Sequence, residues 1–134
     1  MKKRGWISSE VVLVLVVMTI LLMAGTYGYQ DYVKSSRSTA AWALTAKMHG
    51  AIAQYHYEMK AYPASLAALN VQQGIYGPWI RETIPAADPF GHAYNYTSSA
   101  TGFAVWSNGP DGMNQSGGGV PSSMGGDDIG YIGQ

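Results

Sequence analysis

Apolar and polar positions divide this chain into stretches with different periods. Residues 11–24 have no period: ten of the fourteen are Val, Leu or Ile, and no charged residue occurs from 11 to 30. Twenty helical residues rise about 30 Å, the thickness of a bilayer core, so this run predicts a membrane-length helix. Its aliphatic residues contribute roughly −3 to −6 kcal/mol to insertion, against about 2.5–3.5 kcal/mol for an acid at the bilayer centre. Glu10 stands at the edge of the run, where its cost is lower, so insertion wins. From 39 to 62 the pattern changes. Ala41, Leu44, Met48, Ala51, Tyr55, Met59 and Tyr62 recur at three- and four-residue spacing, one stripe of an amphipathic helix. Gly50 alone is tolerated, and Pro63 is the first strong terminator. One helix over about 7–62 is expected, roughly 84 Å long, its second half covered by a soluble domain.

Beyond Pro63 the elements shorten. Residues 63–69 predict a second helix with Ser65 as its cap. Gly74, Gly77 and Pro78 break the next stretch into a loop, and Tyr76, Trp79, Ile80 and Ile84 are expected to pin that loop against the long helix. Tyr94 and Tyr96, then Phe103 and Val105, alternate around a turn at 98–102 and predict a β-hairpin. Ile129, Tyr131 and Ile132 are expected to add a third strand. The fold class is therefore α+β: a long N-terminal helix, membrane-spanning in its first half, packed on a small antiparallel β-sheet with a Gly-rich C-terminal loop.

Composition narrows the function. The chain of 134 residues has room for one domain and a terminal segment. Eight basic residues balance eight acidic ones, but three of the bases are Lys2, Lys3 and Arg4. They place the N-terminus in the cytoplasm. The rest of the chain is net acidic, which speaks against a nucleic-acid partner. There is no cysteine, so disulfides, a lipoprotein anchor, thiolate metal sites and a cysteine nucleophile are excluded. A cleaved secretory signal lacks a clean small-x-small site here. A plain signal anchor leaves Gly5 and Glu10 unexplained.

Those two residues carry a resemblance. A short basic leader ending in Gly5, Trp6 after it, and Glu10 as the fifth residue beyond Gly5 resemble the type IV pilin and pseudopilin superfamily. Tyr29-Gln30-Asp31-Tyr32 falls in the same register. Trp6 stands where the family usually has Phe or Met, Ser8 and Ser9 where it has apolar residues, and Tyr27 where a proline is common. Farther on, Ala61-Tyr62-Pro63, Ile84-Pro85, Asp88-Pro89-Phe90-Gly91, Gly109-Pro110-Asp111-Gly112 and Asp127-Asp128-Ile129-Gly130 resemble the major pseudopilin of type II secretion. The resemblance implies a leader at 1–5 cut by a prepilin peptidase after Gly5, N-methylation of Trp6, a membrane and filament-core helix at 6–29, and a soluble domain at 30–134. It also gives Glu10 a partner, the new α-amino group of Trp6 on a neighbouring subunit, because an unpaired carboxylate in an apolar filament core is expensive. The simpler reading of Glu10 is a solvated acid at a helix N-terminus.

The C-terminal loop raises a separate question. Residues 109–128 include seven glycines among twenty, a length usually functional or disordered. Ordering its backbone costs on the order of 20–40 kcal/mol, while Met113, Val120 and Met124 return roughly 1.5–3 kcal/mol each if buried. Asp111, Asp127 and Asp128 bracket the loop and suit a hard cation, since calcium takes six to eight oxygens from carboxylates, carbonyls and water. The resemblance implies a calcium loop over 108–128, with carbonyl ligands from Asn108 and from the stretch before the acidic pair, where 122–125 are candidates. The competing reading is a solvated acidic turn with no ion.

His49, His56 and His92 have no motif linking them to a carboxylate or nucleophile. The sequons at Asn95 and Asn114 carry no weight after a bacterial-type leader, and no phosphate-binding glycine motif is present. No enzyme is expected. The reading is a structural subunit of a type II secretion pseudopilus. It is single-pass in the bacterial inner membrane, with the N-terminus cytoplasmic and the C-terminal domain periplasmic, and it is built into a helical filament that drives export across the outer membrane. Its expected partners are further copies of itself, the prepilin peptidase, an inner-membrane assembly platform, minor pseudopilins and membrane lipid. The alternatives are a type IV pilus subunit and a membrane-anchored binding module that never assembles.

Overall fold

The structure is a computed structural model describing residues 8–134. The leader and Trp6 lie outside the described residues. The chain forms two compact units, Met1–Ser35 and Ser36–Gln134, and one helix, α1 (Ser9–Met59), contributes to both. In the first unit α1 is apolar and uncovered: twelve large side chains between Val11 and Met23 are each at least 47% exposed. An α-helix apolar all round is stable in water only when something covers it. Thr19 and Thr26 return their hydroxyls to the carbonyls of Leu15 and Met23 at 2.7 and 2.8 Å, so neither leaves a bare polar group on this surface.

In the second unit the helical stripe finds its partners. Met48, Ala51, Ile52 and Tyr55 meet Leu69, Ile80, Phe103 and Val105 in the core, where full burial of an aliphatic side chain contributes about 1.5–3 kcal/mol. Thr45 is also buried, its hydroxyl bonded to the Ala41 carbonyl at 2.8 Å. Helix α1 ends at Met59, three residues before the expected stop at Tyr62. Lys60 takes a left-handed φ of 57° while its N–H still reaches the His56 carbonyl at 2.9 Å. A residue in that conformation closes a helix rather than extending it.

The expected second helix is a single 3-10 turn, Leu66–Asn70, and the Ser65 side chain makes no cap bond. Tertiary bonds hold the turn instead. The Leu69 carbonyl accepts from Trp79 and Ile80 N–H at 2.9 and 3.1 Å, and Asn70 Nδ2 donates to the Ile80 and Glu82 carbonyls at 2.9 and 2.7 Å. The loop is pinned as expected through Ile80 and Trp79. The Trp79 ring lies 4.5 Å from Tyr55, and its Nε1 donates to Glu58 at 2.7 Å. Tyr76 is not part of this contact and stays 41% exposed.

Three antiparallel strands complete the unit: β1 (Asn95–Ser98), β2 (Phe103–Ser107) and β3 (Ile129–Gly133), in the order β1-β2-β3. The predicted hairpin and third strand are both present. As the central strand, β2 is buried at all five positions, so the expected alternation of inside and outside vanishes there. The long connection between β2 and β3 is the glycine-rich loop.

Candidate functional site

Two regions carry chemistry, one in each unit. Gly5 and Trp6 lie outside the described residues. Glu10 sits in the first turn of α1, exposed, beside the start of the uncovered apolar surface. The Ser8 carbonyl accepts from Val11 N–H at 3.0 Å.

The C-terminal loop is anchored at its root by a buried carboxylate. Asp88 accepts from the N–H groups of Phe90 and His92 at 3.0 and 2.8 Å through Oδ1, and from the Ser107 hydroxyl through Oδ2. Ser107 in turn accepts from Gly109 N–H at 3.1 Å, so the Asp88 turn is tied to the first residues of the loop. The His92 ring lies against Gly112, where a Cβ would come within 2.6 Å of Nε2. Asn108 Nδ2 donates to the Gly112 carbonyl at 3.2 Å, and its side-chain oxygen accepts from Asn95.

Asp111, Asp127 and Asp128 are linked through protein donors. Asp127 Oδ2 accepts from Asp111 N–H at 3.2 Å. Asp111 Oδ1 accepts from Met113 N–H and Oδ2 from Gln115 Nε2, both at 2.7 Å. Asp128 Oδ2 accepts from Gln115 N–H at 2.9 Å and from the Ser116 hydroxyl. Among the described residues no three His, Cys, Asp or Glu side chains gather as a ready metal cluster. The Oδ1 atoms of Asp127 and Asp128 are nonetheless buried without a protein partner. Unpaired buried carboxylate oxygens are costly in isolation and are the hard donors calcium takes, so these two residues fit the ion. Each Asp111 oxygen already accepts one hydrogen bond, from Met113 or Gln115, so an ion there would share these oxygens with protein donors or displace them. Gln115, which touches all three acids, carries no periodic or motif signal. A glutamine placed between glycines and acids is the one hint the sequence holds.

Two of the three histidines go elsewhere. His49 packs on Phe103 and Tyr131, at ring distances of 5.1 and 5.5 Å, and His56 stacks on Tyr62 at 4.2 Å.

Comparison with known proteins decides the family. Residues 29–124 match the family described as Type II secretion system (T2SS), protein G. The chain belongs to this family. It is a type II secretion pseudopilin, a structural subunit, and its family implies assembly into a filament with other secretion components. The matched stretch includes Asp111 and ends before Asp127 and Asp128. The chain is also 26% identical over 102 residues to the fimbrial protein EcpC of Eikenella corrodens, across 76% of this chain and 67% of that protein. No solved structure matches. The single N-terminal apolar helix fits a one-pass membrane anchor for such a subunit.

Proposed function

We propose that this pseudopilin is cut by a prepilin peptidase after Gly5, N-methylated at Trp6, and packed through its N-terminal helix into a helical filament. The filament grows from the bacterial inner membrane into the periplasm and drives export across the outer membrane. The chain itself is inserted with its N-terminus cytoplasmic and its C-terminal domain periplasmic. The observation that carries the reading is the uncovered apolar half of α1 in a chain of this family. Lipid covers that surface before assembly and neighbouring copies cover it afterwards. Glu10 pairs with the α-amino group of Trp6 on the next subunit, which removes the cost of an isolated carboxylate in the packed core. The assembly platform and the minor pseudopilins are the other partners. The subunit works by assembly, without catalytic turnover.

Calcium belongs to the same reading. Asp127 and Asp128 would hold it through their unpaired Oδ1 atoms, with Asp111, the Asn108 carbonyl, carbonyls from 122–125 and water making up the rest of the shell. The ion would neutralise the acids and close a loop that apolar burial leaves under-stabilised. The test is a melt of the full chain in detergent, with calcium and then with chelator. A hundredfold excess over the dissociation constant adds about 2.7 kcal/mol, a rise of roughly ten degrees or more, and Asp127→Ala should abolish it. No response would remove calcium and favour the second reading, a type IV pilus subunit, which draws on the fimbrial relative.

A further inference from the structure

Gln115 stands at the centre of the C-terminal loop. Its Nε2 donates to Asp111 Oδ2 at 2.7 Å, its Oε1 accepts from Asp127 N–H at 3.1 Å, and its own N–H donates to Asp128 Oδ2 at 2.9 Å. One residue thus touches all three acids. The chain opposite is shaped around it. A Cβ on Gly126 would fall 1.1 Å from Gln115 Oε1, and one on Gly125 would fall 2.2 Å from the Gln115 carbonyl. Both contacts are far inside van der Waals distance, so only glycine at these positions lets Gln115 in.

We propose that Gln115 is a positioning residue that clasps the loop shut without an ion, and that its side-chain amide competes with calcium for Asp111 Oδ2. This rests on the calcium reading above. Both Asp111 oxygens already accept protein hydrogen bonds, Oδ1 from Met113 and Oδ2 from Gln115. The clasp is incomplete, because a neutral amide brings no charge to the acids and Asp127 and Asp128 each keep one buried oxygen unpartnered. The clasped and ion-bound loops therefore compete. A ligand that binds only a fraction of the population has its apparent affinity reduced by that fraction, so Gln115 raises the calcium concentration at which the loop changes state.

The test uses the full chain in detergent, with Gln115→Ala and Gln115→Met. Each removes the donor to Asp111, and the methionine keeps the side-chain length without adding a charge or a hard calcium ligand. In chelator both variants should melt about 4–8 °C below wild type. In a calcium titration both should bind roughly tenfold more tightly, the equivalent of about 1.4 kcal/mol, as expected for losing one competing hydrogen bond to a charged group. A merely structural role would lower the melting temperature and leave calcium affinity equal or weaker, and that result overturns the proposal. So does an unchanged melting temperature in chelator. If Gln115→Ala does not fold, Gln115→Met carries both measurements. A wild type with no calcium response overturns the calcium reading and the competition with it, while the comparison in chelator still decides whether Gln115 holds the loop.

Discussion

Replacing Asp88 by alanine should be among the most damaging single changes in the soluble unit. The Asp88 side chain is fully withdrawn from solvent and satisfies the N–H groups of Phe90 and His92 and the hydroxyl of Ser107. Alanine leaves two half-buried backbone donors without acceptors, and each costs up to about 1–3 kcal/mol. Ser107 can rotate, so its share is smaller. A total of roughly 3–5 kcal/mol is a large part of the 5–15 kcal/mol that typically holds a domain together. Asparagine keeps one acceptor for both backbone donors but sets an NH2 donor opposite the Ser107 hydroxyl, which must turn to accept it, so Asp88→Asn should cost about 1–2 kcal/mol. Denaturant unfolding of the full chain in detergent, monitored by near-ultraviolet circular dichroism, measures both variants. An alanine variant within about 0.5 kcal/mol of wild type, the range of ordinary surface changes, would refute the reasoning. Equal loss in both variants would assign the effect to the charge and the Ser107 bond and not to the orphaned donors.

Tyr94 gives a prediction in the alkaline range. Burial, and then the nearby Asp88 charge, push its phenol up to about 12. The folded state thus holds this proton more tightly than the unfolded chain, so the contribution is intact below about pH 10 and is lost as pH rises toward 12. Tyr94→Phe should flatten alkaline unfolding over that window. At neutral pH it should stay within about 1 kcal/mol of wild type, since the hydroxyl is buried without a partner. Within α1, Ile52→Ala should cost about 2–5 kcal/mol in chemical unfolding, because the side chain is completely buried. Thr45→Val, equally buried, should cost less than about 1 kcal/mol, because its hydroxyl bonds only to helix carbonyls.

The long helix and the strands were legible because their signals are local. An unbroken apolar run, a three-four stripe and alternating aromatics each report one element. The stripe named Ala41, Met48, Ala51 and Tyr55 correctly. It missed Thr45 and Ile52, because a helix packed against both a sheet and a loop buries a wider face than one stripe. Ser65 looked like a cap, but the turn after it is held by Leu69 and Asn70 through bonds to residues ten or more positions away, which no local pattern records. The three loop acids were visible as a composition. Their bonding was not, because Gln115 reaches across the loop, and Asp88 and Ser107 tie its root, over separations of sequence that carry no periodicity. Asp88 was visible only as part of a family-like motif, and its role as a buried acceptor needed the fold.

The central claim is that the uncovered half of α1 exists to pack against copies of itself, with Glu10 paired inside the filament. The most direct measurement is electron microscopy of filaments formed when the full chain is supplied to a type II secretion assembly machinery, comparing wild type with Glu10→Ala. The account predicts filaments from wild type and none from the variant, although the variant still inserts in the membrane and its soluble unit melts as wild type does. Filaments of equal number and length from Glu10→Ala would contradict it and leave α1 as an anchor alone.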